Sequence, residues 1–141
     1  MSIPFVDTDV IIRLLTGDDL VKQAQAAALF EQVEQGNLML AAPDTVIADA
    51  VFVLASPRLY HLPRAEVAAL LTPLVRLSHF RLQNRSMVLA ALSLYGTTAA
   101  LDFGDALIIA AMQEAGSQTL YSYDTHFDRI PGLLRQEPAG S

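Results

Sequence analysis

Residues 3–18 read Ile3-Pro4-Phe5-Val6-Asp7-Thr8-Asp9-Val10-Ile11-Ile12-Arg13-Leu14-Leu15-Thr16-Gly17-Asp18. An apolar run ends in an acid, and a helical pattern starts at the next residue. Ile3–Asp7 is therefore expected to form a short buried strand, and Thr8–Leu15 a short helix closed by Gly17. A strand that hands its last carboxylate to a helix is a unit of an α/β layer fold.

The same grammar recurs along the chain. Asp18 or Asp19 can cap a helix running through Gln35, with Gly36 as its stop. Leu38–Ala42 reads as a strand. Pro43-Asp44-Thr45 then opens a helix from about Val46 to Ala55, ended by Ser56-Pro57. Pro63 starts a helix through about Leu77, with a kink expected at Pro73. Phe80–Leu82 is a short strand candidate, and Asn84 is expected to cap a helix that ends at Gly96. Asp102 begins a helix through Ala115, stopped by Gly116. Thr119–Tyr123 is again a strand that ends in an acid, Asp124. Strands alternating with helices predict a mainly parallel sheet, whose ligands sit beyond the carboxyl ends of the strands. Residues 1–135 are expected to form one domain, and the polar stretch 136–141 a frayed tail.

Composition narrows the function. The chain has 141 residues, no Cys and no Trp, and its only Lys is Lys22. Zero Cys excludes disulfides, thiolate catalysis and Cys-based zinc sites, and it suits a reducing, cytoplasmic setting. No apolar run of about 18 residues exists, so no spanning helix is expected. Asp7 and Asp9, with no base in the first ten residues, argue against a secretory leader. A mean hydropathy of +0.36 at 52% hydrophobic residues marks a globular chain with an apolar surplus, read as surface that another chain covers. The net charge is -6, yet residues 58–85 hold Arg58, Arg64, Arg76, Arg81 and Arg85 against Glu66 alone. A basic middle between acidic flanks is compatible with a phosphate-bearing ligand.

Four carboxylates lie in apolar company. Asp7 follows Phe5-Val6. Asp49 is the only charge in Val46–Ala55. Asp105 precedes Ala106-Leu107-Ile108-Ile109-Ala110-Ala111-Met112, and Asp124 follows Leu120–Tyr123. Buried carboxylates cost several kcal/mol unless paired, protonated or metal-bound. With so few cations nearby, hard divalent ions such as Mg²⁺ or Mn²⁺ suit the set. Each acid also has a plainer reading. Asp7 and Asp124 can be turn residues, Asp49 can sit on an exposed helix stripe, and Asp102 and Asp105 can serve a helix N-terminus.

Taken in order, these segments resemble the PIN-domain proteins, and more narrowly the VapC-type ribonuclease toxins of toxin–antitoxin pairs. The carrying stretches are Phe5–Asp18, Val46–Leu54, Leu101–Ala110 and Ser122–Gly132. The resemblance implies a three-layer α/β/α sandwich around a central parallel sheet of about four or five strands. It implies one acidic pocket, with Asp7, Asp105 and Asp124 as metal ligands and Asp102 as an additional acid. Asp49 stands where the family usually has Glu, one methylene longer, so it serves as a ligand or through a bridging water. Asp9 stands where Asn is frequent.

By the same resemblance, Mg²⁺ or Mn²⁺ would activate a water for phosphodiester hydrolysis of RNA, leaving a 5′-phosphate and a 3′-hydroxyl. Thr8, Ser122 and Thr125 are candidates to orient waters, and His126 reads as a surface residue. The implied partners are RNA, a cognate antitoxin and a second copy of the chain. Leu14, Leu15, Leu29, Phe30, Phe52 and Leu59 are candidates for the groove that takes the antitoxin's tail. Two rivals stand beside this reading. One is a weak or inactive PIN domain that only binds a partner, favoured by Asp at position 49. The other is a haloacid-dehalogenase-like phosphatase opened by Val6-Asp7-Thr8-Asp9-Val10, which leaves Asp49 unexplained.

Overall fold

Asp7 ends the extended opening segment and caps the first helix, its carboxylate accepting from the Thr8 N–H at 2.7 Å. The computed structural model describes residues 2–139; the last two residues of the expected frayed tail lie outside the described residues. Six helices follow in order: α1 (Thr8–Leu15), α2 (Leu20–Glu34), α3 (Thr45–Ala55), α4 (Arg64–Val75), α5 (Arg85–Thr97) and α6 (Phe103–Ala115). Four three-residue strands alternate with them: β1 (Leu40–Ala42), β2 (Phe80–Leu82), β3 (Thr119–Tyr121) and β4 (Leu134–Gln136). A short 3₁₀ helix spans Thr125–Arg129.

Local chemistry explains the boundaries. Asp19 caps α2 by accepting from the Lys22 N–H at 3.0 Å. Pro63 precedes α4, where its missing N–H costs nothing. Gly116 ends α6 with φ at +69°, the left-handed conformation glycine takes without strain. Asn84 precedes α5 as expected but does not cap it. It is itself left-handed (φ +56°), and its amide donates to Asp44 at 3.0 Å.

The strands form two separate parallel pairs, β1 with β2 and β3 with β4. The expected strand Ile3–Asp7 contributes one bridge, Phe5 beside Ala41. Among the described residues the expected single sheet of four or five strands is thus two pairs plus that bridge. Strand β4 was not anticipated: Gln136, expected to start the tail, is its last residue.

Burial follows the sheet period of two. Val6, Leu40, Ala42, Phe80 and Leu82 face a core to which all six helices contribute, including Ile11, Phe30, Ile47, Leu71, Leu92 and Ala106. Phe30 meets Phe80 edge to face at 5.8 Å. On the opposite face the row Phe5, Ala41, Arg81 runs across the strands, and Phe5 is 72% exposed. A second, smaller core of Leu101, Ile109 and Phe127 packs against Leu120 and Ile130 beneath β3. Among the described residues no helix is long and apolar enough to cross a membrane.

Candidate active site

The carboxylates expected to be buried are at the surface. Asp7, Asp49, Asp102 and Asp124 are exposed and Asp105 is half-buried. Apolar neighbours in sequence surround their backbones, while the side chains leave through helix ends and strand ends. Desolvation therefore does not force a counter-ion on each of them; at the half-buried Asp105 it acts together with repulsion from neighbouring carboxylates.

That repulsion is concentrated at the start of α6. Asp102 and Asp105 form a reciprocal capping box. The Asp105 N–H donates to Asp102 Oδ1 at 2.8 Å, and the Asp102 N–H donates to Asp105 Oδ2 at 3.4 Å. Each carboxylate thus spends one oxygen on the backbone and keeps the other. Partial burial holds the Asp105 carboxyl above the usual carboxylate range, and the charges of Asp102 and Asp124 push it the same way. Asp124 follows β3 and accepts from the His126 N–H at 2.9 Å, with His126 Nδ1 at 3.0 Å from the same oxygen. Its own N–H donates to Ser122 Oγ at 3.0 Å.

Asp7 and Asp49 form the other part of the expected set. The Thr8 hydroxyl donates to the Val46 carbonyl at 3.2 Å, tying the start of α1 to the start of α3. Asp49 lies one turn further along α3, on an exposed stripe shared with Phe52. The charges of Asp102 and Asp124 act on Asp105, which puts these three in one electrostatic neighbourhood. Asp7 caps α1 and Asp49 belongs to α3, two helices packed on each other, and α3 also packs on α6. Among the described residues no three His, Asp or Glu side chains are placed to hold one metal ion.

Three positioning groups escaped the sequence reading. Arg64 donates to the carbonyls of Tyr95 and Thr98 at 3.4 Å and to that of Leu101, the residue before Asp102, and its guanidinium lies 4.6 Å from the Tyr95 ring centroid. Arg135 donates to the Ser122 carbonyl at 3.0 Å and forms a fork with Asp128 at 2.8 and 3.3 Å, fixing the approach to Asp124. Asp18 accepts from Tyr60 at 2.7 Å, Thr16 at 3.0 Å and Arg13 at 3.2 Å. The partners of Arg64 are 31–37 residues away, so spacing carried no signal. Arg85 is likewise a carbonyl clamp, donating to Leu77 at 3.0 Å and to Phe80. Of the five basic-segment arginines, Arg58, Arg76 and Arg81 remain exposed.

Two grooves flank the first helices. One, of about 500 Å³, runs between α3 and the start of α6 and is lined by Phe52, Pro57, Tyr95, Asp102 and Phe103. The other, of about 380 Å³, lies between α1 and α2 and includes Val10, Arg13, Lys22 and Leu29. Leu14, Leu15 and Leu29 are half-buried, and Phe52 and Leu59 are exposed. Phe30 is not available to a groove: it is 4% exposed, in the core.

Surface carboxylates at helix and strand ends of an α/β domain define the class of protein by fold and acidic surface. Residues 5–133 match the PIN domain family, and the chain belongs to that family. PIN domains are generally nucleases that use divalent metals. No curated protein matches the chain.

Proposed function

We propose that this PIN domain is a divalent-metal-dependent endoribonuclease and the toxin of a toxin–antitoxin pair. The observation that carries the nuclease reading is the reciprocal capping box of Asp102 and Asp105 at the start of α6, which holds two carboxylates together at the surface, with the charge of Asp124 acting on Asp105. Like charges held together without a Lys or Arg against them favour a divalent cation. Asp105 and Asp124, with Asp102, are the first candidates to hold it. Asp7 and Asp49 complete the set across the Thr8–Val46 hydrogen bond. The chemistry a Mg²⁺ or Mn²⁺ ion supplies when bound is a water of lowered pKa aimed at a phosphodiester. In this reading the two strand pairs align as one sheet, which sets Asp7 and Asp124 at neighbouring strand ends.

The grooves beside α1 and α3, with exposed Phe52 and Leu59, support a partner segment from an antitoxin, and the apolar surplus supports a homodimer. A cytoplasmic setting follows from an RNA substrate. Asp49, exposed and one methylene shorter than the family's usual Glu, favours one alternative, a partner-binding domain of weak activity.

The test is cleavage of a mixed cellular RNA pool with Mg²⁺ or Mn²⁺, with EDTA, and with Asp105→Asn. Metal-dependent fragments bearing 5′-phosphates, absent with the variant, are expected. Intact RNA in every lane, after a denaturing step has stripped bound protein, overturns the nuclease reading and leaves the binding domain.

A further inference from the structure

The outward face of the β1–β2 pair is a feature that the acidic cluster does not use. Ridge and register define it. Phe5 pairs with Ala41 and Ala41 with Arg81, so the three lie in one row on one face. Phe80 and Leu82, on either side of Arg81, are buried on the other face. The row floors a cavity of about 680 Å³, whose wall is completed by Pro43, Ser78, Gln83 and Arg85. Two arginines and no carboxylate line it, in a chain of net charge -6.

Arg81 takes part in none of the ion pairs among the described residues. Arg85 donates from Nη2 to the carbonyls of both Leu77 and Phe80, and its Nε is buried without a partner. An exposed aromatic ring and an exposed guanidinium two strands apart in one row, on an open sheet face, suit a base stacked on the ring with its phosphate on the guanidinium. A second copy of the chain related by a twofold axis suits it less, since Arg81 would then approach its own equivalent. The location agrees. Ala42-Pro43 and Leu82-Gln83 are the carboxyl ends of β1 and β2, where ligands of parallel sheets sit. Phe5 is two residues ahead of Asp7 on the same extended segment.

We propose that this cavity is a nucleotide subsite for single-stranded RNA, with the base stacked on Phe5 and a phosphate held by Arg81. The subsite rests on the ribonuclease reading and adds to it: it grips the strand beside the acids and selects unpaired RNA over duplex, because a paired base cannot stack there.

The experiment measures fluorescence anisotropy of a short fluorescein-labelled oligouridylate, in EDTA, on the full chain carrying Asp105→Asn. Phe5→Ala, Phe5→Tyr and Arg81→Gln are added singly, and RNA cleavage by the same substitutions in the active chain is followed in parallel. Phe5→Ala is expected to weaken binding by about tenfold with the salt dependence unchanged, and Phe5→Tyr to restore it. Arg81→Gln is expected to flatten the slope of log affinity against log salt by about 0.7. A merely structural role for either residue moves neither signature. If the active chain cleaves RNA and all three variants bind and cut as the parent does, the subsite is wrong and the nuclease reading stands. If the variants instead convert a dimer to monomer in sedimentation, with RNA affinity unchanged, the face belongs to a second copy. If the parent neither binds nor cleaves RNA, the nuclease reading falls and the subsite with it.

Discussion

Arg64, on α4, is hydrogen-bonded to the carbonyl of Leu101, one residue ahead of the Asp102 cap of α6. One guanidinium thus gathers the end of α5 and the connection to α6, and presents the Asp102–Asp105 box to solvent. A side chain from the basic segment acts on the acidic site through backbone carbonyls.

Removing that guanidinium leaves the Leu101 carbonyl without its donor. Arg64→Met is expected to cost about 2–3 kcal/mol of stability, readable in urea unfolding. In cleavage assays run well below the melting temperature, kcat should fall while KM stays near its parent value, because the loop positions the acids and does not hold RNA. Equal losses in kcat and in folded fraction would assign Arg64 to stability alone.

At Asp105 stability and activity should part company. Its carboxyl is raised, so the native state holds its proton to higher pH than the unfolded chain does. The ionised group therefore detracts from stability, and the deficit develops as pH rises from the ordinary carboxylate range through the raised value. Asp105→Asn removes the charge and retains an oxygen for the Asp102 N–H. Thermal melting near neutral pH should move upward, while cleavage drops at least about 100-fold.

Asp18 behaves in the opposite sense. Tyr60 above all, then Thr16 and Arg13, holds its carboxyl below the ordinary carboxylate value. Its contribution is present above the unfolded pKa and is lost as pH falls through the lower folded one. In Tyr60→Phe the largest of these partners is gone. The neutral plateau of a melting-temperature profile should then fall and the drop across the acid limb should shrink, with the melting temperature at the acid extreme little changed. An unmoved plateau would show that Thr16 and Arg13 suffice.

Helices α4 and α5 pack closely where Gly96 faces Ala68. A Cβ on Gly96 would stand 2.9 Å from the Ala68 Cβ, closer than real methyl groups come. Alanine gains about 1 kcal/mol of helix propensity over glycine, and overpacking costs about 1–3 kcal/mol. Gly96→Ala is expected to destabilise by about 1 kcal/mol in chemical denaturation. The double change to Gly at 68 and Ala at 96 should recover most of that loss.

Much of this architecture was legible because its signals are local. Gly17 and Gly116 mark helix ends, Asp19 and Asp102 cap, Pro63 starts α4, and Phe80–Leu82 stands between helical patterns as a strand. Strand β4 was missed because Leu134-Arg135-Gln136 has no alternation of its own; its partner β3 supplies the ladder. Asn84 has the composition of a cap, yet a left-handed backbone turns its amide to Asp44. The site was legible as a set of acids, since Asp102 and Asp105 are three apart on one helix start. Its supports were not, because Arg64 reaches Leu101 and Arg135 reaches Ser122 through folding alone. Exposure of the acids was misjudged for a related reason: apolar neighbours along a chain bury a backbone without deciding where one side chain emerges.

The domain has two cores of very different size. Leu101, Ile109 and Phe127 hold the β3–β4 unit, while some two dozen buried residues hold the rest. Free energy of opening is therefore expected to be uneven across the molecule, with the C-terminal unit opening as a subglobal fluctuation below the cost of full unfolding. Asp124 travels with that unit, whereas Asp102 and Asp105 stay on a helix anchored in the larger core. The acidic cluster can come apart and reassemble without loss of the fold. Amide exchange should then divide into two classes along the boundary between α6 and β3, and a protein that grips the β3–β4 unit would govern catalysis through cooperativity, with the acids themselves left uncovered.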